Sequence, residues 1–283
     1  MKPLIQKLPL SEGCSFVCRT YKTPDFEVPW HNHPEYELIL FTAGSGMSFI
    51  GNHVGTFETG DIFFLAKNIS HTFQKKHNDM IASAIVIQFH ENFWGADFIN
   101  MTETKQIKHL LNISVQGIKI GVESGQKLSK NIKMLELSTG FNRIIQLCRC
   151  LNIIASHKKH LFLSSLGIEQ FGQKDNEKID KVFRYTINNF KNKINLQVVS
   201  SVVNMSIPAF CNYFKKSTKK TYNIFLNEIR ISYSCKLLSE GNMNISSICY
   251  ESGFTSLANF NKQFKKIKHH SPSCYRKIIF SKV

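Results

Sequence analysis

The chain has 283 residues and a formal charge of +16, from 36 Lys and Arg against 20 Asp and Glu, which is room for two domains with separate cores. No stretch approaches the roughly eighteen apolar residues of a membrane span, and Met1-Lys2-Pro3-Leu4-Ile5 lacks the apolar run of a secretory leader. The eight cysteines are scattered without a CxxC pair, as expected of reduced thiols in a cytoplasmic protein rather than a disulfide framework.

Residues 1–100 read as strands and turns. Glu37 to Phe41 and Ile81 to Ile87 are apolar runs of strand length, and Met47 to Ile50 alternates. Gly44-Ser45-Gly46, Gly51-Asn52 and Gly60-Asp61 are turn signals at close spacing. The pattern predicts a small β-barrel or sandwich. Inside it, Trp30-His31-Asn32-His33-Pro34-Glu35-Tyr36-Glu37 spells His-x-His-x3-Glu, and His71 follows downstream. Strand alternation puts His31, His33 and, across the bend, Glu37 on one inward face. This spacing resembles the cupin barrel pattern, with Gly44 after the Glu and Gly60 opening a second motif. Asp25 and Ala66 depart from it, standing where that pattern prefers Gly and Pro.

Two readings of these polar residues stand side by side. Three His and one Glu form a facial metal site with open positions, as an enzyme needs. Alternatively they hydrogen-bond a small effector, or one another, inside the barrel. The second is adopted here, with no metal, no other cofactor and no catalytic residue. Trp30, Phe41, Phe64 and Phe73 are aromatic candidates for the pocket wall, with ordinary core packing as the competing role of each.

Over residues 101–167 the apolar period changes to that of helices. Ile107, Leu110 and Leu111 fit one helix, and Leu128, Ile132 and Leu135 a second. Phe141, Ile144, Ile145, Cys148, Leu151 and Ile154 make a third, longer stripe. This segment is expected to pack partly on its own barrel and partly against a second subunit. Residues 168–176, rich in Gly, Gln and charge, read as a linker.

Residues 177–283 read as helices almost without break. From Lys174 onward, 19 Lys and Arg face 6 Asp and Glu, a net of +13; the first 173 residues carry 17 against 14, a net of +3. A basic domain beside a near-neutral one suggests a polyanion partner. Asp175, Asn195, Ser206, Asn244 and Ser256 are placed to cap helices, and Ile179, Val182, Phe183, Ile187 and Phe190 form the apolar face of the first. Two stretches read alike: Phe210, Phe214, Lys215, Lys216 and, fifty residues on, Phe260, Phe264, Lys265, Lys266. Each pair of rings at i and i+4 shares one helix face, and each lysine pair falls at a helix end. A short helix and a tight turn precede both copies. Between them runs a long helix with the stripe Tyr222, Leu226, Ile229, Tyr233 and Leu237. Two such units in a basic domain point to double-stranded DNA.

The order of these marks resembles the AraC/XylS family of bacterial transcription regulators. The matching residues are Met205-Ser206, Phe214-Lys215-Lys216, Phe225-Leu226, Ile229-Arg230-Ile231, Ile248, Gly253-Phe254, Asn259-Phe260, Phe264-Lys265-Lys266, Ser271-Pro272 and Tyr275-Arg276-Lys277. The resemblance implies an α+β protein: a cupin-like β-barrel with a helical dimerisation segment, then an all-α domain of two helix-turn-helix subdomains joined by one long helix. Recognition helices that enter successive major grooves on one face of DNA sit about 34 Å apart. By resemblance, Pro208, Cys211 and Asn212 of the first helix face the groove, as do Leu257, Ala258, Asn259, Asn261 and Lys262 of the second. Asn pairs with adenine edges, Lys donates to guanine, and Ala and Leu meet a thymine methyl. Lys215, Lys216, Lys265 and Lys266 are phosphate contacts. Arg230 is open between a phosphate contact and an internal ion pair.

The family commonly ends each recognition helix with Gly, where Lys219 and His269 stand here. Arg is frequent where Asn212 stands. The implied function is a non-enzymatic, sequence-specific regulator, commonly an activator. A small molecule, perhaps a sugar, would control it from the barrel, and it would act as a homodimer on RNA polymerase. The rivals are a metal-dependent cupin enzyme with a basic appendage and a nonspecific architectural DNA-binding protein.

Overall fold

The computed structural model describes residues 4–5, 15–23, 29–76, 79–95, 97–157, 160–164 and 173–281, by backbone alone at 4–5, 122–124 and 173–176. The chain divides into two compact units, Met1–Gln170 and Phe171–Val283. Asp25 lies outside the described residues.

In the first unit, β1 (Leu4–Ile5), β3 (His31–Asn32), β8 (His71–Lys75), β5 (Gly46–Ile50) and β6 (His53–Phe57) form one sheet in that order. The other sheet runs β11 (Leu161–Phe162), β10 (Ile118–Lys119), β7 (Ile62–Leu65), β4 (Tyr36–Ala43), β9 (Ser83–Phe89) and β2 (Val17–Lys22). Alternation divides each strand between two environments. Phe41 and Phe63 of the second sheet meet Phe57 and Phe73 of the first. Ring centroids are 4.1 Å apart for Phe41–Phe57, 5.1 Å for Phe41–Phe73 and 5.5 Å for Phe63–Phe73. Each such pair adds about 0.5–1.5 kcal/mol beyond the area it buries.

The intervening residues face the other way. Leu38 pairs with Phe64 and Ile87, and Leu40 with Ile62 and Ile85. They share a core with the apolar sides of α1 (Lys105–Ile113), α2 (Val122–Leu137) and α3 (Phe141–Ala155). Strand β4 is thus covered on both faces, so its Leu38 to Phe41 segment reads as an unbroken apolar run instead of an alternating one. Gly46 lets β5 fit between its sheet neighbours β8 and β6: a Cβ there would lie 2.0 Å from Gln74 O and 2.7 Å from Phe57 Cε1.

Two expectations shift. The strand expected from Ile81 begins at Ser83, and Ile81 is exposed. The chain is instead pinned just before it, where Thr23 N donates to Ala82 O and Ala82 N to Thr23 Oγ1. Helices α1 and α2 bury the residues their spacing selects, but α3 is rotated. It buries Leu147, Cys150, Leu151 and Ile154, leaves Ile144, Ile145 and Cys148 half-buried, and exposes Phe141. Its apolar residues cover more than half its circumference, so periodicity admits two overlapping stripes, and the core takes the one centred on Leu151.

The second unit is all helix: α4 (Gln173–Asn189), α5 (Leu196–Val202), α6 (Ile207–Thr218), α7 (Tyr222–Glu240), α8 (Ile245–Glu251), α9 (Leu257–Lys268) and α10 (Pro272–Phe280). Helix α4 starts inside the stretch read as a linker, and the cap assigned to Asp175 lies outside the described side chains. The other caps form. Asn195 Oδ1 accepts from Gln197 N, Ser206 Oγ from Ala209 N, Asn244 Oδ1 from Ser247 N and Ser256 Oγ from Asn259 N. Thr221 and Ser271 cap α7 and α10. Each is worth about 1 kcal/mol.

The stripe expected on α7 is too narrow. Phe225, Ile231, Cys235 and Leu238 are buried as well, while Tyr233 is half-buried. The first half of α7 packs on one subdomain, with Phe225 4.7 Å from Phe183 and 5.7 Å from Phe214. Its second half joins Ile248, Phe254, Phe260 and Phe264. One helix serving two cores shows no single apolar face.

Candidate functional site

Helices α6 and α9 are built alike. Ser206 and Ser256 fix their starts, and Phe210 and Phe214, or Phe260 and Phe264, are fully buried. Phe214 lies 5.4 Å from Tyr222, and Phe264 lies 5.5 Å from Tyr275. Anchoring one face to the core turns the opposite face to solvent. Pro208, Cys211, Asn212, Lys215 and Lys216 are exposed on α6, as are Leu257, Ala258, Asn259, Asn261, Lys262, Lys265 and Lys266 on α9. Cys211 is therefore a surface thiol, unlike the buried Cys235 and Cys249. Lys215, Lys216, Lys262, Lys265 and Lys266 enter no ion pair with any described residue, so their charge is available to an anion. Gln263 is an addition to the sequence reading: one turn beyond Asn259, its Nε2 lies 3.4 Å from Asn259 Oδ1.

Arg230 forms no ion pair with a described carboxylate and is held by backbone carbonyls instead. Its Nε donates to Phe190 O and its guanidinium to Asn192 O, both at 2.9 Å. It also lies 5.7 Å over the Phe254 ring. Gly253 completes the joint: with φ +85°, its hypothetical Cβ would sit 2.4 Å from Phe190 O and 2.9 Å from Arg230 Nε. Arg230 thereby ties the end of the first subdomain to the turn of the second through α7.

In the first unit, His31, His33, Glu37 and His71 come together, each at most 5% exposed. His71 Nε2 lies 2.9 Å and His33 Nε2 3.4 Å from Glu37 Oε2. Gln88 Nε2, which the sequence reading missed, donates to Glu37 Oε1 at 3.0 Å and lies 3.2 Å from His33 Nε2. Register could have found it, because Gln88 is the cross-strand partner of Glu37.

Burial and the charge on His71 push His31 down to about 3. Burial also disfavours charge on His33, but the nearby carboxylates of Glu35 and Glu37 win and raise it to about 10. Glu37 is held well below the carboxylate range: burial opposes this, and His71 and His33 overcome it.

The aromatic residues divide. Phe73 adjoins the cluster, 6.2 Å from the His71 ring, and Phe41 adjoins Phe73. Trp30 is buried. Phe64 does not belong with them. It sits on the opposite face of its sheet from Glu37, stacked 6.1 Å from Tyr36 and 6.4 Å from Phe89. Alternation along β7 explains why, since Leu65, not Phe64, pairs with Glu37.

A sheet-rich unit with a buried polar cluster, followed by two exposed basic helix-turn-helix faces, defines a DNA-binding regulator with a sensor domain. Residues 199–278 match a helix-turn-helix domain family, and residues 13–105 match the AraC-like ligand binding domain. The chain belongs to the AraC family of transcription regulators.

Among its relatives, the HTH-type transcriptional activator RhaS of Mannheimia succiniciproducens is 23% identical over 86% of this chain and 87% of its own. Histidine kinase P4 of Formosa agariphila is 30% identical over 55% of this chain, which spans only 11% of the kinase's length. The solved structure of ToxT from Vibrio cholerae is similar over 94% of this chain and all of its own, at 17% identity and a TM-score of 0.39. No helix among the described residues is long and apolar enough to cross a membrane.

Proposed function

We propose that the protein is a sequence-specific activator that reads two successive major grooves, responds to a small molecule held in its first unit, and has no catalytic activity of its own. The observation that carries this reading is the duplicated device of α6 and α9: a buried phenylalanine pair behind a solvent-facing row of amides and lysines. Asn212, Asn259, Asn261 and Lys262 supply base-edge partners. Lys215, Lys216, Lys265 and Lys266 supply phosphate contacts that position without specifying. A rigid α7, braced by Arg230, holds the two helices at a fixed spacing.

The effector is a small polar molecule, with a sugar the favoured class. It biases the equilibrium between states of the regulator through differential affinity. The family match over residues 13–105 and the buried polar interior support this placement. The protein works as a homodimer in the cytoplasm and contacts RNA polymerase at the promoter. A mutual seam is favoured by an apolar ridge at the α2–α3 junction, where Leu137 is 84% and Phe141 72% exposed.

Selection of bound fragments from random duplex DNA tests the reading. The full chain should enrich one motif with two recognition segments about one turn apart. Asn259→Ala should relax preference at its own position by about 1–3 kcal/mol, while Lys265→Ala should weaken all sites alike. Enrichment of no motif would leave only architectural binding.

A further inference from the structure

Helices α6 and α9 match position by position at a constant offset in sequence. Ser206 and Ser256 cap them, and Lys219 and His269 end them in left-handed backbone. Phe210 and Phe214 answer to Phe260 and Phe264, and Lys215 and Lys216 to Lys265 and Lys266. The helices that follow are capped alike, by Thr221 and Ser271. Shared anchors at both ends put equivalent residues at the same height and the same angle about each helix axis.

The solvent-facing residues at equivalent positions differ in chemistry. Pro208 stands where α9 has Ala258, Ala209 where it has Asn259, Cys211 where it has Asn261, and Asn212 where it has Lys262, and all of them are exposed. Helix α9 thus offers two amides and an ammonium. Helix α6 offers one amide beside a methyl, a thiol and a pyrrolidine ring. An amide gives a base edge both donors and an acceptor, and an ammonium gives donors only. A thiol is weak in both roles, and the side chains of Ala and Pro have neither. The exposed lysine pairs, Lys215 with Lys216 and Lys265 with Lys266, are equal. The means of gripping phosphate are matched, and the means of reading bases are not.

We propose, taking both helices to enter grooves as above, that they divide the work unequally. Helix α9 discriminates among bases in its groove. Helix α6 holds the neighbouring groove with little discrimination, and Cys211 is the position that keeps its reading loose. The DNA site is then asymmetric. Its sharp segment carries adenines opposite Asn259 and Asn261 and a guanine opposite Lys262, each favoured over other bases by roughly fivefold to a hundredfold. Its loose segment carries one adenine, opposite Asn212, and thymine methyls against Ala209.

Selection from random duplex DNA with the full chain, followed by affinities for every single-base variant of the enriched site, tests the division. One sharp and one loose segment are expected. Cys211→Asn gives α6 the amide that α9 carries, and it should add a preferred base to the loose segment, by roughly fivefold or more, while leaving the sharp one as it was. Asn261→Cys should erase one preference from the sharp segment. Alkylation by N-ethylmaleimide, mapped on peptides by mass spectrometry, checks the placement: bound DNA should shield Cys211. Two equally sharp segments, a Cys211→Asn chain with unchanged preferences, or a Cys211 alkylated as fast in the complex as in the free chain would each overturn the division and leave a sequence-specific regulator standing. Enrichment of no motif would overturn that parent reading, and the division with it.

Discussion

Left-handed backbone at Lys219 and His269 shows how far one residue can bend to a fold. Their φ values are 59° and 62°, and their N–H groups close the last turns of α6 and α9 onto Lys215 O and Lys265 O. A non-glycine residue in that region costs about 1–2 kcal/mol, less the extra entropy a glycine would lose on folding. His269→Gly should therefore raise the stability of the second unit by up to about 1 kcal/mol. Gly253→Ala should lower it by about 2–4 kcal/mol, since strain at φ +85° adds to collision with Phe190 O and Arg230 Nε. Both tryptophans, Trp30 and Trp94, lie in the first unit. Urea unfolding read by far-UV circular dichroism reports mainly on the helical unit, and tryptophan fluorescence serves as the internal control. No change for Gly253→Ala would mean that the joint around Arg230 is not rigid.

Among the helices of the first unit, α3 is the one whose expected stripe and packing part company. Its buried stripe satisfies the core of its own unit, and Phe141 is left in solvent close to Leu137, with Met134 one turn earlier at 51% exposed. Large apolar side chains gathered on one ridge mark an interaction surface more often than scattered ones do. Phe141→Glu combined with Leu137→Lys should convert a dimer into a monomer in sedimentation velocity. Because both side chains are already exposed, the fold should change in stability by no more than about 0.5 kcal/mol. An unchanged sedimentation coefficient would place the seam elsewhere.

Across the whole molecule, charge is divided as sharply as structure. The excess of +13 from Lys174 onward falls within the helical unit, and +3 remains for the rest. A protein that neutralises Z phosphates shows a salt slope of about −0.9Z in log K against log salt concentration. Replacing Lys215, Lys216, Lys265 and Lys266 together by Ala should reduce the magnitude of that slope by roughly one per lysine that touches a phosphate. Filter binding on one operator over a range of salt measures it. A slope that does not move would assign these lysines to stabilising the carbonyl ends of α6 and α9 rather than to DNA.

The sequence by itself determined the helical half almost residue by residue. Caps, paired rings and terminal lysines act within one or two turns, so local spacing carries them, and Asn195, Ser206, Asn244, Ser256, Phe210 and Phe260 stand where spacing put them. The inward meeting of His31, His33 and Glu37 was legible for the same reason, because alternation along neighbouring strands is a local rule. Other features depend on what lies across a sheet or beyond a helix. Which stripe of α3 is buried, which face of β7 holds Phe64, and that Gln88 joins Glu37 are set by register and layer contacts between segments distant in sequence. Arg230 shows this most sharply: its sequence position left a phosphate contact and an internal ion pair equally open, and the bonds to Phe190 O and Asn192 O that make it a brace come from the approach of a segment some forty residues away.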